Sequence, residues 1–154
     1  MENEKKPTII RLTKEFTFEA AHALEGYDGL CREIHGHSYR LFVTVKGTPC
    51  SDESNPKFGM VMDFGELKRI VNEQILSRLD HAFVMRRTAE STRVAEQIGC
   101  RFGRIVLVDY QPTCENMLAD FAARHRSQPA VPCQAPRPAS ARNGDFVRRV
   151  DGRG

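Results

Sequence analysis

Ile10, Leu12, Phe16, Phe18, Ala20 and His22 share one parity, while Arg11, Thr13, Glu15, Thr17 and Glu19 share the other. Only Lys14 interrupts the apolar set. Alternation of this kind predicts a half-buried antiparallel strand over about Ile9 to His22, with His22 at the end of the inner face. Gly26, Asp28 and Gly29 then turn the chain. A second strand is expected from about His35 to Lys46, with His37, Tyr39, Leu41, Val43 and Val45 on one side. Residues 48–59, with two prolines, read as a long hairpin connection. Asp63 and Glu66 form a D-x-x-E capping box for a helix from about Phe64 to Leu79, buried along Leu67, Ile70, Val71, Ile75 and Leu79. Residues 88–99 predict a short helix ended by Gly99, followed by a strand over 105–110. Pro112 and Thr113 open a second long helix with Met117, Leu118 and Phe121 facing inward. These elements predict an α+β domain over residues 1–126, with helices on one face of an antiparallel sheet.

The pattern ends near Arg126. Four of the eight prolines lie between 129 and 138, and nothing beyond alternates, so residues 127–154 are expected to be a disordered Pro- and Arg-rich tail. The tail also explains the charge. From residue 124 onward seven Arg and two Asp give +5, which leaves −2 on residues 1–123 out of a formal +3. A nucleic-acid reading requires a basic face on the domain itself, and that is missing. No run approaches the roughly 18 apolar residues of a membrane span, and Met1 to Lys6 lacks the apolar segment of a secretion signal. No membrane or nucleic-acid partner and a cytoplasmic address are therefore expected. Five Cys without a framework spacing fit reduced thiols.

Candidate chemistry concentrates in the histidines. His35 and His37 lie two apart on a strand, so both project from one face about 6.6 Å apart along the backbone. His22 can join them if the two strands pair near these ends. Three neutral imidazoles with an open position make a catalytic zinc ligand set. A lone H-x-H is more often ordinary surface chemistry, but three converging imidazoles are hard to satisfy without a cation. Cys31, four residues before His35, is either a small hydrophobe or a thiol activated by the nearby cation. Asp80-His81 is an acid–base pair at a helix end, where histidine is also favoured electrostatically. Glu115, in the first turn of the second long helix, reads on its own as a favourable N-terminal charge.

Taken together, Phe18-Glu19-Ala20-Ala21-His22, Cys31-Arg32-Glu33-Ile34-His35-Gly36-His37-Ser38-Tyr39, Val61-Met62-Asp63-Phe64, Leu79-Asp80-His81 and Pro112-Thr113-Cys114-Glu115-Asn116 resemble the 6-pyruvoyl- and 6-carboxytetrahydropterin synthase family. The resemblance covers about residues 8 to 124. It implies a tunnelling fold, in which subunits assemble a barrel as trimers and hexamers. It implies Zn2+ on His22, His35 and His37, with Cys31 as proton acceptor and Asp80 and His81 as its relay. It also implies a small-molecule substrate, 7,8-dihydroneopterin triphosphate, in a pocket between subunits near Thr113 and Glu115. Three residues separate Cys31 from His35, as in the bacterial branch, which makes 6-carboxytetrahydropterin for queuosine synthesis and releases acetaldehyde. The pyruvoyl product remains the alternative. So does a catalytically impaired relative, because the family's terminal V-x-V-x-E-T strand, whose Glu anchors the pterin, has no match after Arg126.

Overall fold

The apolar face of the first segment needs cover, and a computed structural model shows what supplies it; the model describes residues 8–126 and 147–153, with 125, 126 and 147–153 by their backbone alone. Strands β1 (Ile10–His22) and β2 (His35–Gly47) pair antiparallel from Ile10 opposite Gly47 to His22 opposite His35. Residues directly opposite share a face, so Phe16, Phe18 and Ala20 merge with Tyr39, Leu41 and Val43 into one buried surface. Lys14 keeps its charge out of the core. Its ammonium lies 5.2 Å from the centre of the Phe64 ring, where a cation meets the negative face of an aromatic.

Phe64–Val71 runs on through a π-helical stretch, Asn72–Leu76, into Ser77–Leu79, and the three form one helix, α1. Leu67, Val71, Ile75 and Leu79 recur every fourth residue and are each 2% exposed or less. Ile70, expected in that stripe, is half-buried. Asp63 caps the helix by accepting from the Gly65 amide at 2.7 Å, but the expected box does not close, because Arg69 takes the Glu66 carboxylate at 2.7 Å. The full capping box belongs instead to Thr88 and Ser91 at the start of the next helix.

After α1 come β3 (Ala82–Arg86), α2 (Ala89–Gly99), β4 (Ile105–Val108), α3 (Cys114–Arg126) and β5 (Val147–Arg153), giving the sheet order β4-β3-β1-β2-β5. Met117 and Phe121 of α3 meet the α1 stripe over the sheet, whereas α2 buries only Ser91. Two helices therefore cover one sheet face, as the pattern predicts.

Three expectations change. The sheet is mixed rather than antiparallel, because β3 runs parallel to both β1 and β4. The connection from β3 to β4 contains a helix, and such a crossover returns the chain to the same end of the sheet. The second correction concerns the tail. Residues 147–153 form an edge strand along Ser38–Thr44 of β2, so the expectation of disorder fails there. Residues 127–146 lie outside the described residues. Cys31, Cys100 and Cys114 are free, but Cys50 is in a disulfide, so the expectation of reduced thiols fails at that position.

Candidate active site

The register of β1 and β2 builds the centre. His22 and His35 are directly opposite, and His37 faces Ala20 one step along the same face. The three rings converge, with centroids 4.5 Å (His22–His35), 4.8 Å (His35–His37) and 5.1 Å (His22–His37) apart. One ligand atom from each lies within 4.8 Å of the others. Tetrahedral zinc with Zn–N bonds of about 2.0–2.1 Å sets its nitrogens about 3.3 Å apart, so small side-chain adjustments suffice.

The hydrogen bonds indicate which atoms face the centre. His22 Nδ1 lies 2.7 Å from the Pro112 carbonyl, and His35 Nδ1 lies 2.8 Å from the Glu33 carbonyl. A carbonyl only accepts, so both Nδ1 atoms carry protons, which leaves Nε2 of each ring as its metal-binding atom. Those two Nε2 atoms face each other at 3.0 Å. Two unprotonated imidazole nitrogens at that distance repel, so the contact calls for a shared proton or a shared metal cation. Nδ1 of His37 is buried and has no partner among the described residues, which also fits a donor set arranged for an ion. Burial pushes the His22 imidazole below its ordinary value, with the neighbouring rings adding to the effect and the Pro112 carbonyl opposing it. Burial, then His35, lowers His37 as well.

These two shifts give a pH prediction for the metal-free protein. Below the ordinary imidazole value of 6.5, the unfolded chain takes up protons that folded His22 and His37 resist. Stability should therefore be full above that pH and fall as pH drops through it. Thermal melts of chelator-treated protein between pH 7.5 and pH 5 test this. A melting temperature that rises on acidification would contradict it.

Cys31 lies in a one-turn helical segment, Leu30–Arg32, within the β1–β2 loop, and is an exposed free thiol. Its carbonyl accepts from the Leu24 amide at 2.9 Å. Asp80 and His81 lie at the junction of α1 and β3. Asp80 Oδ1 accepts from the Glu19 amide at 3.0 Å and lies 3.0 Å from His81 Nδ1. The Glu19 amide is the main cause holding the Asp80 carboxyl below its ordinary range, with His81 and Arg104 adding to it. His81 adopts a left-handed backbone, φ 59°, the one non-glycine to do so among the described residues. Its amide is fixed to the Glu19 carbonyl at 2.6 Å. A side chain held in that region marks a place where geometry takes precedence over backbone comfort.

The structure thus brings the triad together, and places His37 and His81 on one cavity of about 800 Å³. It does not join Cys31 to the dyad, since no hydrogen bond links them among the described residues. Thr113 and Glu115 follow Pro112, whose carbonyl fixes His22, so the start of α3 lies against the triad. The first-turn amide, then Thr113, lowers the Glu115 carboxyl. Gly36 is not required by crowding, since a Cβ there would make an ordinary 3.6 Å contact with the Ala20 carbonyl. The sequence reading missed the Pro112 and Glu33 carbonyls, which orient two imidazoles. It also missed Tyr39 in this role; its ring stands edge-on to His37 at 5.7 Å and to His22 at 6.4 Å.

The family model described as 6-pyruvoyl tetrahydropterin synthase matches residues 11–137. The chain belongs to the 6-pyruvoyl tetrahydropterin synthase family. A 6-carboxy-5,6,7,8-tetrahydropterin synthase from Haemophilus influenzae is 44% identical over 82 residues, 53% of this chain and 57% of that protein. The chain therefore spans a little over half the length of that relative. A protein of the same name from Rickettsia felis is 28% identical over 110 residues, 71% of this chain and 75% of its own. Among solved structures, an uncharacterized protein from Wolinella succinogenes superposes with a TM-score of 0.61 at 20% identity, covering 79% of this chain and 85% of that one. That likeness concerns the fold alone; the tunnelling-fold class expected from the motifs is that of the matched family.

Proposed function

We propose that this chain is a zinc-dependent lyase that converts 7,8-dihydroneopterin triphosphate to 6-carboxy-5,6,7,8-tetrahydropterin, releasing triphosphate and acetaldehyde. The observation that carries the reading is the convergence of His22, His35 and His37, with Nε2 of His22 and His35 3.0 Å apart and both of their Nδ1 atoms committed to carbonyls. His22, His35 and His37 would hold the metal. When bound, zinc supplies Lewis-acid polarisation of substrate oxygen, easing the loss of a proton from the adjacent carbon. The names of the Haemophilus and Rickettsia relatives support the carboxy product.

In this reading the Cys31 thiolate accepts the carbon-bound proton. His81, held by Asp80 with its Nδ1 proton toward the carboxylate, presents Nε2 to exchange a proton at the next step. Thr113 and Glu115 hold the pterin at the start of α3. No hydrogen bond joins Cys31 to the dyad among the described residues, which supports a site completed between subunits, in a trimer or hexamer. The chain would work in the cytoplasm and feed queuosine synthesis; among the described residues no helix is long and apolar enough to cross a membrane.

One observation favours a second reading, a zinc- and pterin-binding relative with impaired turnover. β5 contains no Glu, and its single acid, Asp151, stands opposite Arg40 in the register. Incubating the zinc-loaded protein with dihydroneopterin triphosphate distinguishes the two. Triphosphate release with a carboxypterin product is expected, whereas stoichiometric zinc without release would select the second reading.

A further inference from the structure

Two cavities meet at the Asp80–His81 dyad. The larger has mostly apolar walls, among them Phe83, Ile98, Phe102 and Ile105. The smaller, of about 520 Å³, shares His81 and Arg104 with it and is otherwise polar: Thr17, Asn72, Ser77 and Asp80, with Leu76 its one apolar side chain. The hydrogen-bonding inventory of this smaller cavity is one-sided. Arg104 donates from Nη2 to the Ser77 carbonyl at 2.9 Å and its charge is felt by Asp80, while Nε and Nη1 have no hydrogen-bond partner among the described residues. The Thr17 hydroxyl and the Asn72 amide likewise have no partner among the described residues. Asp80 is the one carboxylate among the described lining residues, and its Oδ1 already meets the Glu19 amide and His81.

A tethered guanidinium with free donors beside a hydroxyl and an amide suits an anion rich in acceptor oxygens. We propose that this cavity binds a polyphosphate, with Arg104 as its cation and Thr17 and Asn72 as its neutral donors. The proposal deepens the reading above and rests on it: the ligand is the triphosphate tail of the substrate, seated where it departs beside the proton-carrying dyad. A tail in the apolar cavity would give up its solvation without replacement.

Titrating inorganic triphosphate calorimetrically into the zinc-loaded full chain tests the site. Zinc content is measured before and after, because triphosphate also chelates divalent ions. Arg104→Gln should weaken binding about tenfold or more at unchanged zinc content, and raise KM for dihydroneopterin triphosphate in step. Thr17→Val, a milder change, should weaken it by less. Equal affinity in wild type and Arg104→Gln, or no binding to wild type, overturns the site. If binding depends on Arg104 yet wild type does not process dihydroneopterin triphosphate, the polyphosphate site stands and the catalytic reading falls.

Discussion

His35→Ala is expected to leave the protein folded but without metal, and to remove turnover with it. His35 sits at the first position of β2, half-buried, with Nδ1 spent on the Glu33 carbonyl and Nε2 facing His22. Removing it breaks a three-donor set, so the loss of affinity should exceed the roughly 10–100-fold that a missing supporting partner costs. His35 is half-buried at the strand end, so the metal-free variant should melt close to metal-free wild type. Metal analysis after dialysis and a thermal melt read the two effects separately. Zinc retained at one per subunit in His35→Ala would remove that side chain from the ligand set.

Cys31→Ala is expected to do the opposite at the metal: zinc stays, and product formation falls by about 10²–10⁴-fold, the usual loss when a positioned proton acceptor is deleted. Cys31 is exposed, and only its backbone is tied into the loop, so the variant should fold and load normally. Single-turnover triphosphate release, measured beside zinc content, checks this. Full activity in Cys31→Ala would assign the thiolate role elsewhere.

The triad was legible because two periods coincide. The two-residue strand period puts His35 and His37 on one face, and the β1 parity puts His22 at the end of the matching face. The register that sets His22 opposite His35 was not legible, since a twelve-residue connection, 23–34, permits several pairings. The carbonyls of Pro112 and Glu33 carry no side-chain signal at all. β3 escaped notice because it is a short central strand: Ala82, Val84 and Met85 are all buried, so no alternation marks it. β5 escaped for another reason. Residues 148, 150 and 152 occupy the register positions opposite Val43, Leu41 and Tyr39, and only Val150 among them is a large apolar residue. Its pairing is a backbone matter. Asp80-His81 was placed correctly at the end of α1, but the left-handed turn at His81 depends on the Glu19 carbonyl sixty-two residues earlier in sequence.

X-ray absorption of the zinc-loaded protein at the metal edge addresses the central claim most directly. The account predicts one zinc per subunit, with three imidazole nitrogens at about 2.0–2.1 Å and a light-atom fourth ligand. A first shell dominated by sulfur, or protein that holds no zinc after dialysis, would contradict it.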